Sequence, residues 1–268
     1  MPLRIAFDLD GVLADMQSEL VRQAEVIFGE AMTHKLQDRA EASAPQTETD
    51  TKHASSPNEA ADPADAGEPV DVPQVPSASL AGDTPPILKL NMTARQERKL
   101  WRHVGTIDNF WESLNEIEPG VISRLAEIAT ERRWEIIFLT KRPQSAGATA
   151  QVQSQRWLEA KGFALPSVYV VQGSRGRIAA ALGLDIVIDD RPESCLDVVV
   201  DSKSRAILVW RDDEKILPVA ARRLGIGIVN TVNECLDILT AVDAQTPEEP
   251  GVLDRVRRML GLKESEGG

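Results

Sequence analysis

The sequence predicts an α/β fold: a parallel sheet with helices on both faces and a small helical cap inserted after the first strand. Two observations predict it. Unbroken aliphatic runs such as "IIFL", "IVI" and "AILV" alternate with segments of helical periodicity, as expected of strands buried on both faces. The polar residues that end these runs are Asp8 and Asp10, then Thr140 with Lys141 and Arg142, then Asp189 with Asp190. Ligands of such sheets bind at the carboxyl ends of the strands, so these residues converge on one edge.

The elements follow in order. Residues 3–9 form the first strand, and "MQSELVRQAEVIFGEAM" spaces Met16, Leu20, Ala24, Ile27 and Phe28 as a helix does. The pattern then collapses over 41–86, which holds half of the chain's prolines, no aromatic residue, nine acidic residues and the single cation Lys52. Such a segment buries too little apolar surface to offset its chain entropy, and it reads as a disordered acidic insertion. "MTARQERKLWRHVGTIDNFWESL" reads as two helices, the first opened by a capping box of Thr93 and Gln96. Pro119 begins a helix that feeds the strand 134–140. A helix over 151–161, the strand 167–171, the helix "RIAAALG" and the strand 184–190 come next. The strand 205–210, the helix "LPVAARRLG", the strand 226–230 and the helix "VNECLDILTAV" complete a Rossmann-like core. The domains predicted are an α/β core of 1–15 and 116–243, a helical cap of 16–40 and 87–115, and a tail over 244–268. That tail carries a short amphipathic basic helix, "VLDRVRRMLGLKE".

A net charge of −12 over 268 residues argues against a general nucleic-acid binder but permits one local cationic pocket. The two cysteines, Cys195 and Cys235, build no disulfide framework, and the three histidines show no zinc spacing. Cys195 follows "RPES" and reads as an ordinary buried thiol. No apolar run approaches a membrane span, and the strand at the start leaves no room for a signal peptide. The expectation is a cytoplasmic protein without nucleic-acid or membrane partners, acting on a small phosphorylated substrate.

In a strand, residues i and i+2 share a face, so Asp8 and Asp10 would place two carboxylates side by side. Their repulsion needs a cation between them. With Asp189 and Asp190 they form the oxygen donor set that Mg²⁺ takes when it also binds a substrate phosphate. One carboxylate can then act as nucleophile and its neighbour as acid and base. Thr140 offers a hydroxyl to a transferring phosphoryl group, and Arg175, Arg177, Lys141 and Arg142 offer charge.

"DLDGVLAD", "IIFLT", "GSRGRIAAALGLD" and "IDDRPE", in this order, resemble the four motifs of the haloacid dehalogenase-like (HAD) hydrolase superfamily. The resemblance covers residues 1–30 and about 115–240. It implies that Asp8 forms an aspartyl-phosphate, that Asp10 protonates the leaving alcohol and later activates water, and that Thr140 holds phosphoryl oxygens. It also implies Mg²⁺ bound by Asp8, the Asp10 carbonyl, and Asp189 and/or Asp190. The third motif normally carries a lysine; here Arg175 falls at that place, with Arg177 as the alternative. "DNFWESLNEIEPGVISRL" is further similar to the 5'(3')-deoxyribonucleotidase branch, which implies that Phe110 and Trp111 contact the base of a nucleoside monophosphate. A rival expectation is a regulatory module that keeps the fold and binds a partner through the acidic insertion.

Overall fold

The computed structural model describes residues 2–43, 87 and 89–243. Its six strands are β1 (Arg4–Asp8), β2 (Glu135–Thr140), β3 (Ser167–Val170), β4 (Ile186–Asp189), β5 (Arg205–Val209) and β6 (Gly227–Val229). They are all parallel, in the order β3-β2-β1-β4-β5-β6. The chain builds outward from β1 in one direction and then from β4 in the other. The crevice above β1 and β4 is therefore the topological switch point, where such sheets bind ligands.

The two-residue period of the strands divides the core. Ile5 and Phe7, Phe138, Ile186 and Ile188 face one apolar cluster, while Ala6, Ile137, Leu139 and Val187 face the other. Helices α1 (Met16–Phe28), α2 (Glu30–Ser43), α3 (Ala94–Thr106), α4 (Val121–Arg132), α5 (Ala150–Ala160) and α9 (Val232–Asp243) contribute to the first, larger face. Helices α6 (Arg175–Leu182), α7 (Pro192–Asp201) and α8 (Val219–Arg223) cover the second. Leu20, Leu36, Leu90 and Leu100, from the region expected to be a cap, belong to the same apolar cluster as β1. That helical region shares its core with the sheet.

Several expectations change in detail. "MTARQERKLWRHVGTIDNFWESL" yields one helix and a single 3-10 turn, Phe110–Glu112, because Asn109 adopts a left-handed backbone between them. The capping box of Thr93 and Gln96 is present. Pro119 lies outside α4, whose N-cap is Gly120 at φ +79°. The helix α7 has no counterpart in the expected elements, although Pro192 at its start and Glu193 in its first turn are initiation signals. "RPE" reads locally as a charged loop; the burial of Cys195 and Val198 makes it a helix. α2 runs through Ser43 and so takes in the first three residues of the insertion expected over 41–86. Residues 44–86 and the tail helix lie outside the described residues. Among the described residues no helix is long and apolar enough to cross a membrane.

Candidate active site

The register that sets Phe7 beside Ile188 brings Asp8 and Asp189 to the ends of adjacent strands. By the two-residue period both lie on the face that α6 covers. Arg175, the first residue of α6, meets them there. Its guanidinium donates Nη2 to Asp8 Oδ1 and holds Nε 3.6 Å from Asp189 Oδ2. The start of α6 is pinned to α7: Ser174 Oγ donates to Asp197 Oδ2 at 2.8 Å and the Gly176 N–H donates to the same oxygen at 3.1 Å. Only a glycine fits at 176, because a Cβ there would sit 2.1 Å from the Asp197 carbonyl oxygen.

Arg175 is 4 % exposed, yet its Nε and Nη1 have no hydrogen-bond partner. Asp190, the next acid along, has a buried Oδ1 that is also unpartnered. Burial raises Asp8 well above the usual carboxylate range; Arg175 opposes the shift, and the charges of Asp189, Asp190 and Asp10 add to it. Burial also raises Asp189 against the pull of Arg175, and raises Asp190 to about 7 with a further push from Asp189. Gly11 leaves room for Asp190: at φ +91°, a Cβ on it would lie 1.9 Å from Asp190 Oδ2.

Thr140 falls on the opposite face, with Phe138 and α5. Its hydroxyl donates to Asp10 Oδ2 at 3.0 Å. Arg142 adds three contacts to the same carboxylate, Nε at 3.0 Å to each oxygen and Nη2 at 2.8 Å to Oδ1. Its Nη1 donates to Ser154 Oγ at 2.8 Å, and the guanidinium lies 5.0 Å from the Trp111 ring and 5.6 Å from the Trp157 ring. Arg142 is 1 % exposed and every one of these groups has a partner.

This placement revises several expected roles. Asp8 and Asp10 each meet an arginine of their own, because β1 ends at Asp8 and a tight loop turns Asp10 toward Arg142. Arg142 braces Asp10 and has no exposed surface for a substrate. The Thr140 proton is directed to Asp10. Phe110 and Trp111 are buried, edge to face at 4.9 Å, with Trp111 Nε1 donating to the Pro143 carbonyl at 2.9 Å. They form the wall behind Arg142 and offer no surface to a base. Arg175 joins the carboxylates, whereas the Arg177 side chain is 85 % exposed and lies 3.9 Å from Asp201. Lys141 is half-buried on the loop after β2. Cys195 is on the buried face of α7, where burial and the neighbouring acids push its thiol far up.

Ser154, Trp157 and Asp197 were not among the expected site residues. Each acts through another residue, and only the docking of α5 and α7 brings it there. The periodicity of α5 puts Ser154 and Trp157 on one buried face, a faint signal that two polar-capable groups share a target.

Asp8, Asp189 and Asp190 are the side chains here whose chemistry would suit a hard divalent cation, and the Asp190 Oδ1 without a hydrogen-bond partner is the atom such an ion would satisfy. By donor chemistry the set fits Mg²⁺. Among the described residues, no three acidic, histidine or cysteine side chains are drawn together tightly enough to hold an ion as they stand.

No family model matches the chain, and no curated protein matches it. Among solved structures it is similar to a candidate beta-phosphoglucomutase from Thermotoga maritima, at 18 % identity over 90 % of this chain and 99 % of that one, with a TM-score of 0.49. It is similar to a HAD family hydrolase from Deinococcus radiodurans R1 with bound phosphate and sodium, at 14 % identity over 90 % and 96 %, with a TM-score of 0.46. It is also similar to a hydrolase from Pseudomonas syringae, at 15 % identity over 88 % and 99 %, with a TM-score of 0.45.

Proposed function

We propose that the protein is a Mg²⁺-dependent phosphomonoesterase of the HAD type, with a nucleoside monophosphate as the first substrate to try. One observation carries this reading. At the switch point of the sheet, buried polar atoms of opposite sense lack hydrogen-bond partners: Nη1 of Arg175, its Nε, which has only the ion pair to Asp189 at 3.6 Å, and Oδ1 of Asp190. Buried polar groups are nearly always satisfied, so these ask for an anion and a cation together. A phosphoryl group and its metal supply both.

In this reading Asp8 Oδ attacks phosphorus, the bond from phosphorus to the leaving oxygen breaks, and Asp10 gives that oxygen a proton. Water then attacks the aspartyl-phosphate, giving its proton back to Asp10 and releasing inorganic phosphate. Arg175 neutralises charge on the phosphoryl oxygens and orients the Asp8 carboxylate. Mg²⁺, when bound by Asp8, Asp189 and Asp190, would neutralise phosphoryl charge and the repulsion among the acids. Arg142 and Thr140 act as positioning residues for Asp10.

The test is phosphate release from a panel of phosphomonoesters, with and without Mg²⁺, by wild type and Asp8→Asn. The reading expects metal-dependent release that falls at least about a thousandfold in the variant. Full activity of Asp8→Asn would remove the mechanism. The second reading, a binding module without turnover, draws on the clamp around Asp10: a carboxylate bound by Arg142 through both oxygens has to give up those bonds to carry a proton. Anion binding at Arg175 with no release from any ester would favour it.

A further inference from the structure

A cleft of about 620 Å³ opens beside Asp190 and Gly11, between the start of α1 and the ends of β4 and β5. Its size is that of a small-molecule site. Its walls are largely apolar: Ile117, Pro192, Val209, Trp210 and Pro218 line it. Trp210 is the half-buried aromatic among them. Its Nε1 donates to the Asp213 carbonyl at 3.2 Å and its N–H to the Val229 carbonyl at 2.8 Å, so the indole is fixed before any ligand arrives.

The cations that reach this cleft are already engaged. Arg211 donates to the carbonyls of Gly11 and Val12, at 2.5 and 3.1 Å, and to Glu118 at 3.0 Å. Lys89 donates to Ser18 Oγ at 2.9 Å, and Arg191 Nε lies 3.9 Å from Glu193. A second phosphate or a carboxylate would have to displace these partners, whereas an apolar ring would not. The cleft begins at Asp190 and Gly11, and with β5 two strands away from β1 its far wall at Trp210, just past the end of β5, stands about 10 Å from the end of β1. A leaving group several bonds long spans that distance.

We infer that the leaving group of the phosphomonoester occupies this cleft against the Trp210 indole and carries a flat, uncharged ring, so that Trp210 sets the substrate class. The inference rests on the phosphatase reading for its phosphoryl end. It moves the ring-binding role expected of Phe110 and Trp111 to a residue on the other side of the sheet. An aromatic contact of this kind contributes beyond the area it buries.

The test is calorimetric binding of two non-hydrolysable phosphonates, methylphosphonate and 4-phenylbenzylphosphonate, in Mg²⁺, to wild type, Trp210→Ala and Trp210→Phe. Thermal melts establish that each variant is folded. The expected result is that 4-phenylbenzylphosphonate binds wild type at least about tenfold more tightly than methylphosphonate. Trp210→Phe keeps most of that preference and Trp210→Ala loses it. Equal affinities in wild type, an unchanged preference in Trp210→Ala, or no binding of either compound would overturn the inference. Phosphate release is read separately. Release without an aryl preference leaves the phosphatase reading standing and sinks this one. An aryl preference without release sinks the phosphatase reading and keeps only the ring site, with the ring then part of a bound ester rather than a leaving group.

Discussion

The two arginine–aspartate pairs at the top of the sheet are built from the same chemistry and differ in completeness. On the α5 face, Asp10 and Arg142 satisfy one another, with Thr140, Ser154 and two indoles filling the remaining positions. On the α6 face, Asp8 and Arg175 touch, but two guanidinium nitrogens and an oxygen of the adjacent Asp190 lack hydrogen-bond partners. The two pairs lie side by side at the end of β1: Asp8 faces α6, the loop after β1 turns Asp10 toward Thr140 and Arg142, and Asp10 stays near enough for its charge to act on Asp8. A satisfied buried pair fixes geometry; the open pair is the one the proposed function assigns to a ligand.

Breaking the satisfied pair has the largest expected effect. Arg142→Met leaves Asp10 buried without its cation and should cost about 3–5 kcal/mol, read as a lower urea midpoint. Asp10→Asn, which keeps the shape and loses the charge-assisted bonds, should cost about 1.5–3 kcal/mol. The open pair should respond more weakly. Burial holds the Asp8 pKa above its unfolded value, so its ionised form is disfavoured by folding at neutral pH and above. Asp8→Asn in metal-free buffer at pH 8 should therefore cost clearly less than Asp10→Asn, because it removes an ionised group that burial disfavours while Asp189 stays beside Arg175. Destabilisation as large as that of Asp10→Asn would erase the distinction between the pairs.

Glu118 serves as a control outside both pairs. It accepts from the Val232 and Asn233 N–H groups at 2.7 and 2.9 Å and from Arg211 at 3.0 Å. Burial alone would raise its pKa, but these bonds outweigh burial and hold it below the usual range. Its stabilisation is therefore fully present above the unfolded value of about 4.3 and is lost as the pH falls through the lower folded value. Glu118→Gln should cost about 1–2 kcal/mol at pH 7, with the gap to wild type closing below pH 4 in parallel denaturant titrations.

The smallest effect sharpens the open side. Mg²⁺ at about five times its Kd should raise wild-type stability by about 1 kcal/mol, seen as a small rise in Tm. Gly11→Ala should lose that rise, because the new Cβ displaces Asp190 Oδ2. An equal rise in both proteins would mean that the ion binds away from Asp190.

The sheet was legible because its strands are buried on both faces and read as aliphatic runs. The acidic strand ends were legible for the same reason, since Asp8 and Asp189 interrupt such runs at a fixed place. The division of labour was not. Local sequence places Arg142 two residues after Thr140 and Arg175 two before Arg177, but which guanidinium is enclosed depends on how α5 and α6 dock. Phe110 and Trp111 read equally well as a platform or as core; only the packing of α5 against them decides. The helix α7 was hidden because its charged first turn resembles a loop until the sheet beneath it is known.

The most direct measurement of the central claim is chemical trapping at Asp8. Wild type would be mixed with Mg²⁺ and a hydrolysable phosphomonoester, quenched in acid, reduced with borohydride and mapped by peptide mass spectrometry. The account predicts substrate-dependent modification at position 8 alone, absent from Asp8→Asn and absent without ester. Phosphate release with position 8 unmodified, or modification at position 10 in its place, would contradict the assignment of the open pair as the reacting one.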